Sequence, residues 1–215
     1  TAVLEATARA ARERGWRLGA VSADLATDND ARRLTQAGVP ARAITTGQAC
    51  HLDAELVHRS LHDVPWRDTD VFFIENVGNL VCPAIYDLGQ AANVVALSVT
   101  EGEDKPLKYP VMFKAADLVL LTKVDLVPHL DVDLAKLRDA LARVMPRPEV
   151  IEVSARSGQG LEAWVAWLAT LRQKVAPAGA REAKPHAHAP HVAVRLDVPE
   201  GLRGHSHDHG HAHGH

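Results

Sequence analysis

The chain has 215 residues, a hydrophobic fraction of 47% and a formal net charge of -3. That length suits one α/β domain with or without a tail, and the near-balance of 24 Lys plus Arg against 27 Asp plus Glu argues against a nucleic-acid partner, which calls for a basic excess. No apolar run of about 18 residues occurs, so no membrane partner is expected, and two Cys argue against a disulfide scaffold and fit a reducing, cytoplasmic compartment.

In chain order, helical and strand-like segments alternate. Thr1 opens directly into Ala2-Val3-Leu4-Glu5-Ala6, a helix already under way, so the chain reads as truncated at its N-terminus. Helices are expected at 2–14, 28–37, 51–62, 106–115, 131–144 and 160–173. In the fifth, Leu134, Leu137, Leu141 and Val144 step by three and four and form one apolar face. Between the helices lie short apolar runs at 18–23, 41–45, 71–74, 94–99, 118–121 and 150–153. They are nearly continuous rather than alternating, as strands covered on both faces are. The alternation predicts an α/β fold with a doubly wound, mostly parallel sheet. Ligands of such sheets bind at the carboxyl ends of the strands.

A domain boundary is expected near residue 175. The stretch 176–215 is rich in His, Pro, Gly and Ala and cannot bury enough surface to fold alone, so it reads as a flexible tail. It holds His186, His188, His191, His205, His207, His209, His211, His213 and His215, nine of the 13 histidines, and is expected to bind metal.

The residues after the strands carry the chemistry. The run at 118–121 is followed by Thr122-Lys123-Val124-Asp125, and the run at 150–153 by Ser154-Ala155-Arg156. The pair resembles the two guanine-recognition loops of GTPases. A carboxylate at Asp125 can accept from guanine N1–H and its exocyclic amine, while adenine offers neither donor. The stem of Lys123 can lie over the base, and the N–H of Ala155 can donate to O6. Glu75-Asn76-Val77-Gly78 follows the run at 71–74. Glu75 stands where an acidic residue holds Mg²⁺, and Gly78 where a glycine senses the γ-phosphate. Asp24, after the run at 18–23, is expected to orient the attacking water or a water on Mg²⁺; Asp28 reads as a helix cap. The pattern G-x-x-x-x-G-K-S/T does not occur. Thr1 is accordingly expected to be the Mg²⁺-binding Thr of such a loop, with the first strand and the phosphate loop lying upstream of the sequence.

Gly47-Gln48-Ala49-Cys50-His51-Leu52-Asp53 and Glu75-Asn76-Val77-Gly78-Asn79-Leu80-Val81-Cys82-Pro83 contain both cysteines. Together with Glu101-Gly102-Glu103-Asp104-Lys105-Pro106, these segments resemble the HypB family of P-loop GTPases, which incorporate nickel into NiFe-hydrogenase. The resemblance covers residues 1 to about 173. It implies that Cys50, His51 and Cys82 bind Ni²⁺ (or Zn²⁺), a donor set that suits both metals. It also implies GTP and Mg²⁺ as cofactors, a GTP-dependent homodimer, a HypA-type partner protein and delivery of metal to the hydrogenase large subunit. The family's His-rich stretch, when present, normally precedes the GTPase domain; here it is C-terminal. A metal-storage or buffering protein on a degenerate GTPase scaffold is the alternative reading.

Overall fold

The computed structural model describes residues 1–24, 27–45, 52–78, 87–175 and 193–197. The elements are α1 (Ala2–Glu13), β1 (Leu18–Asp24), α2 (Asn29–Gln36), β2 (Ala41–Thr45), α3 (Ala54–Leu61), β3 (Val71–Glu75), β4 (Ala92–Ser98), α4 (Lys105–Lys108), α5 (Pro110–Lys114), β5 (Leu118–Thr122), α6 (Leu134–Val144), β6 (Val150–Val153), α7 (Leu161–Val175) and β7 (Ala193–Asp197). The strands form one seven-stranded sheet in the order β2-β1-β3-β7-β4-β5-β6. Every pairing in it is parallel.

Continuous apolar runs make both faces of this sheet sticky, because successive side chains point to opposite sides. Ala20, Phe73, Val94, Ala96, Leu118, Leu120 and Val194 pack against α1, α2 and α7 through residues such as Leu4, Leu34 and Trp164. The intervening residues face the other way. Val95, Leu97, Val119 and Leu121 meet Phe113 of α5 and Leu137 of α6, and Val21, Phe72 and Ile74 meet Val57 of α3. The sheet is therefore doubly wound, as the alternation predicts. The buried Trp164 Nε1 donates to Thr7 Oγ1 at 2.9 Å, and Thr7 Oγ1 donates to Val3 O at 2.7 Å, which fixes α7 to the first turns of α1.

Three helix boundaries differ from the sequence expectation, each for a local reason. The stretch 106–115 is two short helices, because Pro110 disfavours a helical conformation at Tyr109, which sits at φ −125°. The stretch 51–62 begins as a helix at Ala54, capped by Asp53, whose carboxylate accepts from Leu56 N at 2.7 Å. The helix expected from 131 starts at Leu134, because Asp133 caps it. A fourth difference concerns the sheet. The boundary near 175 assigns residues 193–197 to the tail, whereas the structure seats them as β7 between β3 and β4. Five residues cannot form a strand alone, but two flanking parallel strands supply partners for both of its edges.

Candidate functional site

The carboxyl ends of β1, β3, β4 and β5 and the start of α1 meet at one edge of the sheet. A cavity of about 490 Å³ opens there, lined by Thr1, Arg9, Thr122, Lys123, Asp125 and Ala155 among others. Five of the residues singled out in the sequence are thereby brought together from three separate segments.

The wall after β5 turns sharply. Lys123 has φ +60°, alone among the described non-glycine residues in having positive φ, a conformation that bulky side chains adopt only where the surroundings enforce it. Thr122 is buried, and its hydroxyl donates to Leu97 O of β4 at 3.4 Å, so it ties the strand ends together at the cavity wall. Asp125 Oδ1 accepts from Ser154 Oγ at 2.6 Å. Ser154 is fully buried and its Oγ also accepts from Ser157 N at 3.0 Å. Ser154 therefore orients Asp125, joining the loop after β5 to the loop after β6. The second loop is closed by Gly160 at φ +72°, where an added Cβ would lie 1.8 Å from Glu152 O. No residue with a side chain fits that backbone.

Arg9 and Arg156 also line the cavity, and Arg9 Nη2 donates to Ala155 O at 3.5 Å. The sequence reading missed Arg9, which looks like any exposed helix residue until the fold places it. Glu5 is a wall residue of opposite sign. Its carboxylate accepts from Arg33 Nε at 3.1 Å and Nη2 at 2.8 Å. That hydrogen bonding raises the Arg33 pKa above its ordinary value, so Arg33 offsets the Glu5 charge beside a cavity that also holds Arg9, Lys123, Arg156 and Asp125.

Glu75 ends β3 and is buried. Its Oε1 accepts from the Thr1 amino group at 2.6 Å and from Thr1 Oγ1 at 2.9 Å. Its Oε2 accepts from Ser22 Oγ at 2.7 Å. Thr1 stands at the N-cap of α1 but spends its hydroxyl on Glu75 instead of capping. Hard oxygen donors of this kind fit Mg²⁺. Ser22 was also missed by the sequence reading, since a lone Ser in a strand carries no signal. Asp24 ends β1 at the same edge, two residues past Ser22, the register partner of Glu75. Its carboxylate accepts from Thr27 N at 3.3 Å and Thr27 Oγ1 at 3.1 Å. Gly78 follows three residues after Glu75. Asp28 precedes α2 without a capping bond from its side chain.

Asn76 is the third residue the sequence reading passed over. It is buried, and its Oδ1 accepts from Leu52 N at 3.2 Å and Val77 N at 2.9 Å. The residue directly after His51 is thereby bonded to the end of β3. Cys50, His51 and Cys82 themselves lie outside the described residues, as do all nine tail histidines. Among the described residues no group of three or more His, Cys, Asp or Glu side chains is placed to hold a metal ion. No helix among them is long and apolar enough to cross a membrane.

Comparison with known proteins matches residues 1–152 to the family described as CobW/HypB/UreG, nucleotide-binding domain. The hydrogenase maturation factor HypB of Azotobacter vinelandii is 55% identical over 155 residues, which are 72% of this chain and 51% of that protein. The HypB of Escherichia coli (strain K12) is 51% identical over 152 residues, 71% of this chain and 52% of that one. The chain thus spans about half the length of the curated relatives it matches. The crystal structure of HypB from Helicobacter pylori in complex with nickel superposes with a TM-score of 0.74 at 37% identity, covering 80% of this chain and 81% of that one. The chain belongs to the HypB group of the CobW/HypB/UreG nucleotide-binding family.

Proposed function

We propose that this chain is the nucleotide-binding part of a GTP-hydrolysing nickel chaperone for NiFe-hydrogenase maturation. The observation that carries the reading is the Ser154–Asp125 hydrogen bond at the mouth of the cavity. It presents a fixed carboxylate beside Lys123 and Ala155, the three groups a guanine ring needs. Family membership and the nickel complex of the Helicobacter pylori relative support the same reading.

In this reading Lys123 covers the base, Asp125 accepts from N1–H and the amine, and the Ala155 N–H donates to O6. Thr122 and Ser154 hold these groups in place. Thr1 and Glu75 would hold Mg²⁺, which supplies charge neutralisation on the phosphates when bound. Asp24 orients the attacking water, and Gly78 contacts the γ-phosphate. Cys50, His51 and Cys82 carry Ni²⁺ (or Zn²⁺) as cargo, and the nine tail histidines hold further metal. The partners are a second copy in a GTP-dependent homodimer, a HypA-type protein and the hydrogenase large subunit, and the compartment is the cytoplasm.

The test is base selection by the chain joined upstream to a strand and a Gly-rich phosphate loop. GTP should displace a fluorescent guanine nucleotide and ATP should not. Equal displacement by both would refute the assignment. Metal binding by the tail with no nucleotide binding in that longer chain would favour the storage reading instead.

A further inference from the structure

Outside the tail the chain carries His51, His58, His62 and His129, and the proposed function uses only the first. His58 and His62 are spaced i,i+4, so a helix sets them one above the other on the same face. The structure keeps that relation. α3 ends at Leu61, but His62 caps it with helical backbone, φ −66° and ψ −22°, and its N–H donates to Arg59 O at 3.3 Å. The inner side of α3 is fixed: Val57 is buried, and Leu56 and Leu61 pack against the apolar cluster that holds Phe72 and Ile74. Asp53 caps the first turn by accepting from Leu56 N at 2.7 Å. The helix is thus seated by its inner side and presents both histidines to solvent.

The two rings meet edge to face, with centroids 5.4 Å apart and planes at 84°. Both residues are exposed, so this contact buries little surface and contributes little packing. Neither imidazole has a hydrogen-bond partner among the described residues. Two imidazoles at this spacing can share a metal ion. An imidazole nitrogen binds such an ion at about 2.0–2.1 Å, which puts each ring centre about 3.2 Å from it. Centres 5.4 Å apart then subtend roughly 115° at the ion, close to the tetrahedral angle. Each ring reaches that pose by turning about χ2, a soft torsion, with no change in the helix. The surrounding charges do not oppose a cation. Arg59 stands 3.8 Å from Glu55 and Arg42 stands 3.3 Å from Asp63, so both guanidiniums are offset by carboxylates.

We propose that His58 and His62 form a two-histidine site on the outer face of α3 for a late first-row divalent cation, Ni²⁺ or Zn²⁺, with water in the remaining positions. It is separate from the set implied at Cys50, His51 and Cys82. Two protein ligands and open water positions let this site exchange its ion, unlike a closed four-ligand site. Imidazole donors select such ions over Mg²⁺, which prefers oxygen. α3 is the element next after Cys50 and His51, so the site holds exchangeable metal close in sequence to that set. The pair rests on the helix alone; nickel as its natural ion rests on the function proposed above.

The experiment is histidine footprinting of the full chain with diethyl pyrocarbonate, which modifies imidazoles that no metal holds. Mass spectrometry reads His58, His62 and His129 separately while buffered free Ni²⁺, Zn²⁺ or Mg²⁺ is raised. Buffering keeps the tail histidines from depleting the ion. His129, which is exposed, is the internal control for a single imidazole. Reactivity at His58 and His62 should fall together, with a midpoint about tenfold or more below that of His129, because the second imidazole binds as a tethered ligand at high effective concentration. Mg²⁺ should protect neither. His62→Gln, at an exposed position, should raise the His58 midpoint by about the same factor, and His58→Gln should do so for His62. A His58 midpoint unmoved by His62→Gln would overturn the pair, and so would midpoints equal to that of His129. Protection by Zn²⁺ without protection by Ni²⁺ would leave the pair standing and count against the nickel reading.

Discussion

Replacing Asp125 by Asn should change which base the cavity accepts, and the structure says which way the new amide points. Ser154 Oγ accepts from Ser157 N at 3.0 Å and donates to Asp125 Oδ1 at 2.6 Å. Its proton is therefore committed to the residue at 125, and in Asp125→Asn it keeps the amide oxygen on the Ser154 side. The NH₂ group then faces the cavity. Guanine presents two donors there: N1–H, which the amide oxygen can still accept, and its amine, which now meets the NH₂ group, so one charge-assisted bond becomes a donor-against-donor contact. Bonds to a charged group contribute about 1.5–3 kcal/mol each, so the loss is at least about 1.5–3 kcal/mol, or roughly tenfold to a hundredfold in affinity. Xanthine has a carbonyl at C2 that can accept from the new amide, so xanthosine triphosphate should gain what GTP loses. The assay is competition against a fluorescent nucleotide on the chain joined to an upstream phosphate-loop strand. Unchanged GTP affinity, or equal losses for GTP and xanthosine triphosphate, would refute the placement of the base.

The other expectations concern stability and the tail. Gly160→Ala forces a Cβ to within 1.8 Å of Glu152 O at φ +72°; left-handed strain alone costs about 1–2 kcal/mol, so the thermal midpoint should fall by at least about 2 °C, and guanine affinity should fall with it. Trp164→Phe removes the donor to Thr7 Oγ1 and should cost about 1–2 kcal/mol in urea unfolding; an unchanged midpoint would mean that the α1–α7 contact rests on packing alone. Ending the chain after Gly204 removes His205, His207, His209, His211, His213 and His215 while keeping β7, so bound nickel should fall at unchanged stability. A free imidazole has a pKa of about 6.5; lowering the pH to about 5 protonates it and should release that nickel from the full chain, and equilibrium dialysis across that range checks both statements.

The sheet was legible because its strands are apolar on both faces, which only a doubly covered parallel sheet explains. The loops after β5 and β6 were legible because their residue types match a hydrogen-bonding task at the ends of such strands. Ser22, Arg9 and Asn76 were not, since each acts through a contact more than twenty residues away in sequence. β7 was hidden for a different reason. Val194-Arg195-Leu196-Asp197 looks like any short polar-apolar alternation in a His- and Pro-rich stretch. Only a vacancy between two buried strands, a property of the rest of the fold, turns it into a central strand. The break at Tyr109 was readable in principle, from the Pro that follows it.

Asn76 supplies the last step, a physical route between the two halves of the proposed function. The candidate metal ligands sit on two segments, 50–51 and 82, far apart in sequence. Leu52, next after His51, donates to Asn76 Oδ1, and so does Val77. Two N–H donors identify the accepting atom as oxygen, so the amide orientation is fixed. Asn76 directly follows Glu75, which Thr1 and Ser22 hold at the cavity edge. A change of partner at Glu75 is thus one residue and one hydrogen bond away from the segment that carries His51. Asn76→Ala leaves both amides without their acceptor and breaks this route, while touching none of the groups that face the base. In a longer chain that binds nucleotide, nickel affinity should differ between the GTP-like and GDP states, by ~5–150-fold for couplings of this kind. Asn76→Ala should bring that ratio close to one without a matching loss in nucleotide affinity. A ratio unchanged by the substitution would show that metal and nucleotide communicate by another path, through the covalent chain from Gly78 to Cys82.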